Sequence, residues 1–152
     1  MARAVSACTL YVPAGTAGFV DTTTGAVRLD RVLVPVDHRP RPDQALTIAA
    51  RLAQAMDVPG ATVDMLYVAD ARAAPPALAP PAMPGLRFEA RRADGRPAEA
   101  IVAHARSVGA RLVVMATAGR HGLFEGLFGS TTEQVVRQSG APVHAVPGDS
   151  HA

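Results

Sequence analysis

The stretch 111–147 constrains the fold of this chain most strongly, because it holds a strand, a glycine-bearing loop, a helix and a second strand in succession. The apolar run at 112–115 is typical of a buried strand. Ser130 then opens a helical pattern, which a glycine and a proline end before a short apolar strand at 143–146. This order of elements is typical of an α/β sheet with parallel strands.

The loop and the helix start in this stretch have the features of an anion site. Glycines let backbone N–H groups approach an anion, and the first turn of a helix has unpaired donors and a partial positive charge. Ser130 and Glu133, however, also have the S-x-x-E spacing of a capping box, which a plain strand-to-helix connection would explain. A glycine loop alone is a weak motif, so both interpretations stand at this point.

A second candidate group is Asp37, which follows the apolar run at 31–36. Ligands of parallel α/β sheets bind beyond the carboxyl ends of the strands, where this residue is expected to lie. Its carboxylate would accept hydrogen bonds from a ribose hydroxyl or a base. The alternative is an aspartate that only forms the turn before the H-R-P loop.

The remaining chain alternates between strand and helix patterns, which predicts an α/β fold with a single doubly wound, five-stranded parallel sheet. Five prolines between 70 and 85 forbid a regular helix there, so that segment is expected to be irregular. The other predicted elements are helices at 43–56 and 98–107 and strands at 31–36, 61–69 and 86–93.

Residues 1–30 are predicted to form an N-terminal arm with a small hairpin that turns at 23–25, ahead of a main domain at 31–148. The run R-A-V-S-A-C-T-L-Y-V-P at 3–13 lines up with R-Q-S-G-A-P-V-H-A-V-P at 137–147, with matches at the first, fifth, tenth and eleventh places. One hypothesis is that 1–13 are the last helix turn and last strand of a preceding copy of the domain. The alternative is a simple arm.

Charge and composition set the expected partners. The net charge is +2 and the arginines are scattered, which does not favour nucleic acid as a partner. One cysteine allows no disulfide within the chain, and no Cys/His spacing predicts a metal site. The apolar run at the N-terminus is too short for a membrane helix or a secretory signal, so we expect no membrane partner and a cytoplasmic location.

The loop spacing resembles the signature of the universal stress protein family, G-x2-G-x9-G-[ST]. Gly119 is followed by nine residues and then by Gly129 and Ser130, whereas Ala116 stands where the signature has its first glycine. The runs R-V-L-V-P-V-D, D-M-L-Y-V-A-D and D-G-R-P-A-E-A-I are similar to further family motifs, so the resemblance covers 31–147. It implies a Rossmann-like fold of the adenine nucleotide alpha hydrolase type, with strand order 3-2-1-4-5 and a homodimer through the last strand.

The resemblance also implies an adenine-nucleotide-binding regulatory protein in the stress response, with ATP and Mg²⁺ as its cofactor. If the backbone at Ala116 is ordinary strand or helix, alanine there is nearly neutral, whereas a phosphate passing over its Cα would meet the methyl group. The residues implied to bind the nucleotide are Pro35, Val36, Asp37 and Val68 around the base and ribose, Gly119, Gly129, Ser130 and Thr131 around the phosphates, and in addition Met115, Ala116 and Arg120. The alternative for Arg120 is a solvated side chain.

Two other functions compete with this one. The same fold without a nucleotide would be a structural or protein-interaction module, which the alanine at the first signature position favours. A slow phosphoanhydride hydrolase would need a cationic clamp and catalytic carboxylates. The chain has no P-loop and no lysine, so we expect no enzyme, no catalytic residues and no metal ligands among its side chains.

Overall fold

The computed structural model describes residues 8–70, 72–118 and 129–148. The α/β class predicted from the alternating pattern is confirmed in these residues. The strands are β1 (Thr9–Tyr11), β2 (Arg31–Val36), β3 (Thr62–Val68), β4 (Arg87–Ala93), β5 (Leu112–Thr117) and β6 (Val143–Pro147), and the helices are α1 (Asp43–Ala55), α2 (Pro97–Val108) and α3 (Ser130–Gln138).

The strands form one sheet in the order β1-β6-β5-β2-β3-β4. Five of them are parallel, and β1 pairs antiparallel with β6. The prediction of a five-stranded, purely parallel sheet is therefore wrong in strand number and in strand direction, because the described sheet is mixed and has six strands. The N-terminal segment supplies the additional strand and pairs the backbone groups that β6 would otherwise expose at the sheet edge.

Helices cover both faces of the sheet, because side chains of alternate strand residues point to opposite faces. Val34 and Val114 belong to the apolar cluster on the α1 side, and Leu33 and Val113 belong to the cluster on the side of α2 and α3. All four are completely buried. The two-sided core explains why the central strands read as continuous apolar runs rather than as alternating ones.

No helix forms in the proline-rich segment 72–85, as its prolines predicted. Ala73 and Leu78 pack against the apolar cluster on the α1 side. The segment therefore covers part of the sheet face without regular hydrogen bonding of its own.

A short antiparallel bridge joins Val20 and Val27 where the sequence predicted a hairpin. The Asp21 carboxylate accepts hydrogen bonds from the backbone N–H groups of Thr24 and Thr23, which lower the pKa of that carboxyl group. Phe19 and Val27 both pack against the α1-side cluster, so this turn is attached to the core of the sheet.

A buried charged group lies on β3 beneath α2. Asp64 is completely inaccessible to solvent. Its carboxylate oxygens lie 3.2 Å from Nη1 of Arg31 and 3.5 Å from Nε of Arg91. Nε2 of His104, on α2, lies 3.7 Å from Asp64 Oδ2. Because burial of an unpaired carboxylate is unfavourable, the two arginines are what allow an acidic residue in the middle of an apolar strand.

His144 on β6 is expected to make the stability of the fold depend on pH. Its Nε2 atom is buried without a hydrogen-bond partner among the described residues, and burial lowers the pKa of the imidazole below its ordinary value of 6.5. Just below that pH the imidazole binds a proton in the unfolded chain but not in the folded chain. The contribution of His144 to the free energy of unfolding is therefore complete above pH 6.5 and decreases as the pH falls.

Urea unfolding of the chain and of a His144→Gln variant, at about pH 7 and about pH 5, measures this effect. We expect the free energy of unfolding to decrease more between the two pH values in the unchanged protein. Equal decreases in both proteins would contradict a neutral buried imidazole.

Candidate functional site

A cavity of about 330 Å³ opens beyond the carboxyl ends of β2, β3 and β5, where the topology of a parallel sheet favours ligand binding. The starts of α2 and α3 complete its wall. Its lining is mainly apolar, and the residues that form it are Pro35, Val36, Asp37, Arg39, Pro40, Leu66, Val68, Pro97, Ile101, Met115, Ala116, Thr117, Ala118, Gly129, Thr131 and Thr132.

The structure brings together the four residues that were expected around a base and ribose. Pro35 and Val36 end β2, Val68 ends the adjacent parallel strand β3, and Asp37 follows β2 directly. The Asp37 side chain is exposed, and its Oδ1 atom accepts a hydrogen bond of 2.7 Å from the backbone N–H of His38. This bond orients the carboxylate at the mouth of the cavity, beside apolar walls.

Ala116 has the ordinary extended backbone of a strand residue. It lies within β5 and pairs with Val146, and the only residue other than glycine with positive φ in the described chain is Asp57. The backbone at Ala116 therefore does not require glycine, and the departure from the signature costs no strain. Ala116 is one of the residues that line the cavity, so its effect is on the shape of the site.

The first turn of α3 faces the cavity through Gly129, Thr131 and Thr132. Gly129 is the N-cap residue, and no side chain in the part of the chain that the structure describes caps the helix. The capping box expected from Ser130 and Glu133 is therefore not formed. The Glu133 carboxylate instead forms an ion pair with Arg137, at 2.5 Å, one helical turn later. Within the described residues, the N–H groups of this first turn have no side-chain cap, which favours an anion there.

One of the predicted phosphate-side residues that the structure describes does not line the cavity. Ser130 is exposed and lies outside the lining, although it begins α3. Gly119 and Arg120 lie outside the described residues, as does the rest of the glycine loop.

Sequence reasoning missed several lining residues, of which Arg39 carries a charge. Arg39 and Pro40 lie in the loop that follows Asp37. The position of this loop directly after a strand end indicated that its residues could reach the site. Pro97 and Ile101 come from the first turns of α2. Their role depends on where the crossover places that helix, which the helical pattern does not show.

Contacts outside the cavity tie its mouth to the proline-rich segment. Nε2 of His38 lies 3.0 Å from the carbonyl oxygen of Ala74. The ring of His38 meets the ring of Tyr67 edge-on at 6.0 Å, and the guanidinium of Arg92 lies over the same tyrosine at 5.8 Å. The loop that carries Asp37 and Arg39 is thus held against β3 and the segment at 72–85.

Two other kinds of site are absent from the described residues. No cluster of three or more His, Cys, Asp or Glu side chains in residues 8–70, 72–118 and 129–148 is arranged to hold a metal ion. Within the same residues, no helix has the length and apolar character needed to cross a membrane.

Comparison with known proteins shows which proteins the chain resembles. The model of the universal stress protein family matches residues 82–147. No curated protein sequence matches the chain.

The fold is similar to solved structures of universal stress proteins. One from Archaeoglobus fulgidus is 24% identical with a TM-score of 0.62, and the match covers 83% of this chain and 48% of that one. The chain therefore spans about half the length of that protein. A universal stress protein in complex with cAMP is 22% identical with a TM-score of 0.59, over 80% of this chain and 98% of that one.

A universal stress protein family protein from Arabidopsis thaliana with AMP bound is 16% identical with a TM-score of 0.53, over 79% of this chain and 92% of that one. The resemblance to the universal stress protein family is therefore confirmed, since the family model covers residues 82–147 and the fold of the chain is the one that these universal stress proteins share.

Proposed function

We propose that this chain is a regulatory protein of the universal stress protein type that binds an adenine nucleotide, with ATP as the expected ligand. One observation supports this above the others: a single cavity has the Asp37 carboxylate at one side and the first turn of α3 at another. A ligand with a hydroxyl-bearing sugar between an apolar ring and a phosphate matches that arrangement.

The chemistry of the lining fits each part of a nucleotide. Val36 and Val68 provide apolar surface for a ring. Asp37 has a second carboxylate oxygen for a ribose hydroxyl, since Oδ1 already accepts the N–H of His38. The uncapped N–H groups and Thr131 at the start of α3 suit phosphate oxygens, and Arg39 adds positive charge to the cavity wall.

The fold neighbours lend further support, because two of them are described with cAMP or AMP bound. Both ligands contain an adenine, a ribose and a phosphate. This chain shares the fold of those proteins and has a cavity at the carboxyl ends of its parallel strands.

The described lining also fits Mg²⁺ bound together with phosphates. Mg²⁺ in nucleotide sites uses one or two carboxylates, with phosphate oxygens and waters as its other ligands. Asp37 is the carboxylate among the described lining residues. It would hold such an ion together with the phosphate oxygens of the bound nucleotide. The ion would neutralise phosphate charge, and Asp37 would orient it.

We propose binding rather than turnover as the function. Hydrolysis of a phosphoanhydride requires a positioned base and a cationic clamp around the transferring group. In the described lining, Asp37 is the only candidate base and Arg39 the only cation. A cytoplasmic location belongs to the same proposal and rests on the single cysteine, which gives the chain no internal disulfide.

The experiment is the nucleotide content of the freshly purified protein, together with the affinity of the emptied protein for ATP and AMP by calorimetry. We expect bound adenine nucleotide in the unchanged protein. An Asp37→Asn variant is expected to bind about 10 to 100 times more weakly, which corresponds to the loss of a hydrogen bond to a charged group. Glu99→Gln removes the same charge from an exposed position on α2 and is the matched control.

Protein that is purified empty and takes up neither nucleotide at millimolar concentration would contradict the proposal and favour the interaction module. Phosphate release measured on the same samples tests the absence of an enzyme. Steady turnover that disappears in the Asp37→Asn variant would contradict that part.

Assembly as a homodimer through the last strand is a separate part of the proposal. Such a dimer needs the outer edge of β6, and β1 is paired with that edge in this structure. We therefore propose this dimer only for a form of the chain in which β1 is displaced.

A further inference from the structure

The outer edge of β6 is closed by β1, which lies in a segment, 3–13, that resembles the segment around β6, 137–147. β1 and β6 pair antiparallel, with Thr9 opposite Ala145, Leu10 opposite His144 and Tyr11 opposite Val143. The pairing is therefore centred on Leu10 and His144. β6 has β5 on its other side, so both of its edges are occupied within the described chain.

The register of this pair agrees with the internal similarity of the sequence. When 3–13 is aligned with 137–147, Leu10 is the equivalent of His144. Thr9 is then the equivalent of Val143, and Tyr11 of Ala145. If two β6 strands met around a twofold axis at His144, Val143 of one strand would face Ala145 of the other. Thr9, the equivalent of Val143, faces Ala145 in this structure, so β1 takes the position that a second β6 strand would take.

A twofold axis imposes this arrangement on two identical strands. In such an antiparallel pair the central residue faces its own copy, and the residue before it faces the residue after it. The alignment comes from residue identities and the register comes from the backbone, so the two observations are independent of each other.

We propose that β1 is an intramolecular substitute for the β6 strand of a second copy of this chain. While β1 is paired, the β6 edge is closed and the chain is a monomer. When β1 is detached, the exposed β6 edge pairs with the β6 edge of a second copy around a twofold axis at His144.

The burial of β1 is consistent with a strand that closes an edge without binding strongly. It has three residues, its central Leu10 is 44% exposed, and Val12 after it is 57% exposed. The following turn at 19–28 is anchored through Phe19 and Val27 on the α1-side cluster, which keeps β1 near β6. This tether gives β1 a high effective concentration at the edge, so it outcompetes a free second copy.

The first test is the solution mass of the protein by sedimentation equilibrium. The full chain is expected as a monomer of 15.7 kDa. A Thr9→Pro/Leu10→Pro double variant is expected at twice that mass. Successive backbone groups of a strand point in opposite directions, so one of the two prolines removes an N–H directed at β6. Ala17→Pro is the matched control, because Ala17 is exposed and lies outside β1 and the hairpin bridge.

A full chain that is already dimeric, or a folded double-proline variant that stays monomeric, would overturn the proposal. Circular dichroism of each variant establishes that it is folded.

The second test places a cysteine at the proposed twofold axis and does not depend on mass. In a Cys8→Ser background, His144→Cys is expected to form a disulfide-linked dimer when the two prolines are present and none when β1 is intact. Ala145→Cys with the prolines is expected to form none, because residue 145 would face residue 143 of the second copy. A linked dimer with β1 intact, or equal linking through position 145, would overturn the assignment.

A variant that leaves β1 in place tests whether the pairing is within one chain. Leu10→Cys with His144→Cys, in the same Cys8→Ser background, is expected to give an oxidised monomer on a non-reducing gel. A covalent dimer would mean that β1 pairs with another copy, which contradicts an intramolecular substitute. None of these results depends on the binding of a nucleotide.

Discussion

Replacement of Asp64 by alanine is expected to lower the free energy of unfolding by about 3 kcal/mol, the lower part of the range for removing one partner of a buried ion pair. The carboxylate is completely buried, and Arg31, Arg91 and His104 are arranged around it. Its removal takes the negative charge away from Arg31 and leaves Arg91 with the partly exposed Glu89. The arginines are 31% and 45% exposed, so they recover part of the loss by turning to water.

Urea unfolding of Asp64→Ala beside Glu89→Gln measures this effect. Glu89 pairs with the same Arg91, but its side chain is 37% exposed, so its loss is expected to cost at most about 1 kcal/mol. A loss for Asp64→Ala no larger than that of the control would mean that the buried carboxylate contributes no net stability. The comparison separates the effect of burial from that of pairing, because the two acids share a partner.

Replacement of Gly148 by alanine is expected to destabilise the fold by about 1–3 kcal/mol, the usual cost of overpacking a filled site. Gly148 follows β6, and its N–H donates a hydrogen bond of 2.8 Å to the carbonyl oxygen of Thr117. A Cβ atom at this position would lie 2.7 Å from Cβ of Pro40 and 3.2 Å from the Thr117 oxygen. Neither neighbour is the flexible end of a long side chain, so the backbone has to move.

The same substitution is expected to weaken binding of a ligand in the cavity, because Pro40 and Thr117 both line it. Thermal unfolding and ATP calorimetry on Gly148→Ala measure the two effects. Gly18→Ala is the matched control, since a Cβ there meets nothing closer than 3.9 Å. Unchanged stability and affinity in Gly148→Ala would show that the loop at Pro40 adapts without cost.

The sequence predicted the α/β class because buried parallel strands and amphipathic helices have distinct periods. It did not predict β1 as a strand of the main sheet. Three residues are too few for a period, and the pairing of Thr9–Tyr11 with β6 joins parts of the chain that are more than a hundred residues apart. The similarity of 3–13 to 137–147 was visible in the sequence. Only the register of β1 against β6 shows that the two similar segments pair with each other.

The site was partly predictable for a similar reason. Asp37 and Val68 follow or end recognisable strands, so the rule for parallel sheets placed them at one edge. Arg39 and Ile101 reach the same cavity from a loop and a helix whose positions depend on the packing of the whole sheet. The partners of Asp64 come from three other elements, and no local pattern reveals them.

The placement of the two tyrosines gives the chain an optical signal for each of its two proposed activities. It has no tryptophan, so tyrosine emission is not masked. Tyr67 lies beside the cavity mouth, in contact with His38 and Arg92, whereas Tyr11 lies on β1. A Tyr11→Phe variant makes fluorescence a readout of the cavity mouth alone, and a Tyr67→Phe variant makes it a readout of β1. Ligand binding and strand detachment are thereby open to separate kinetic measurement in the same protein without an added dye.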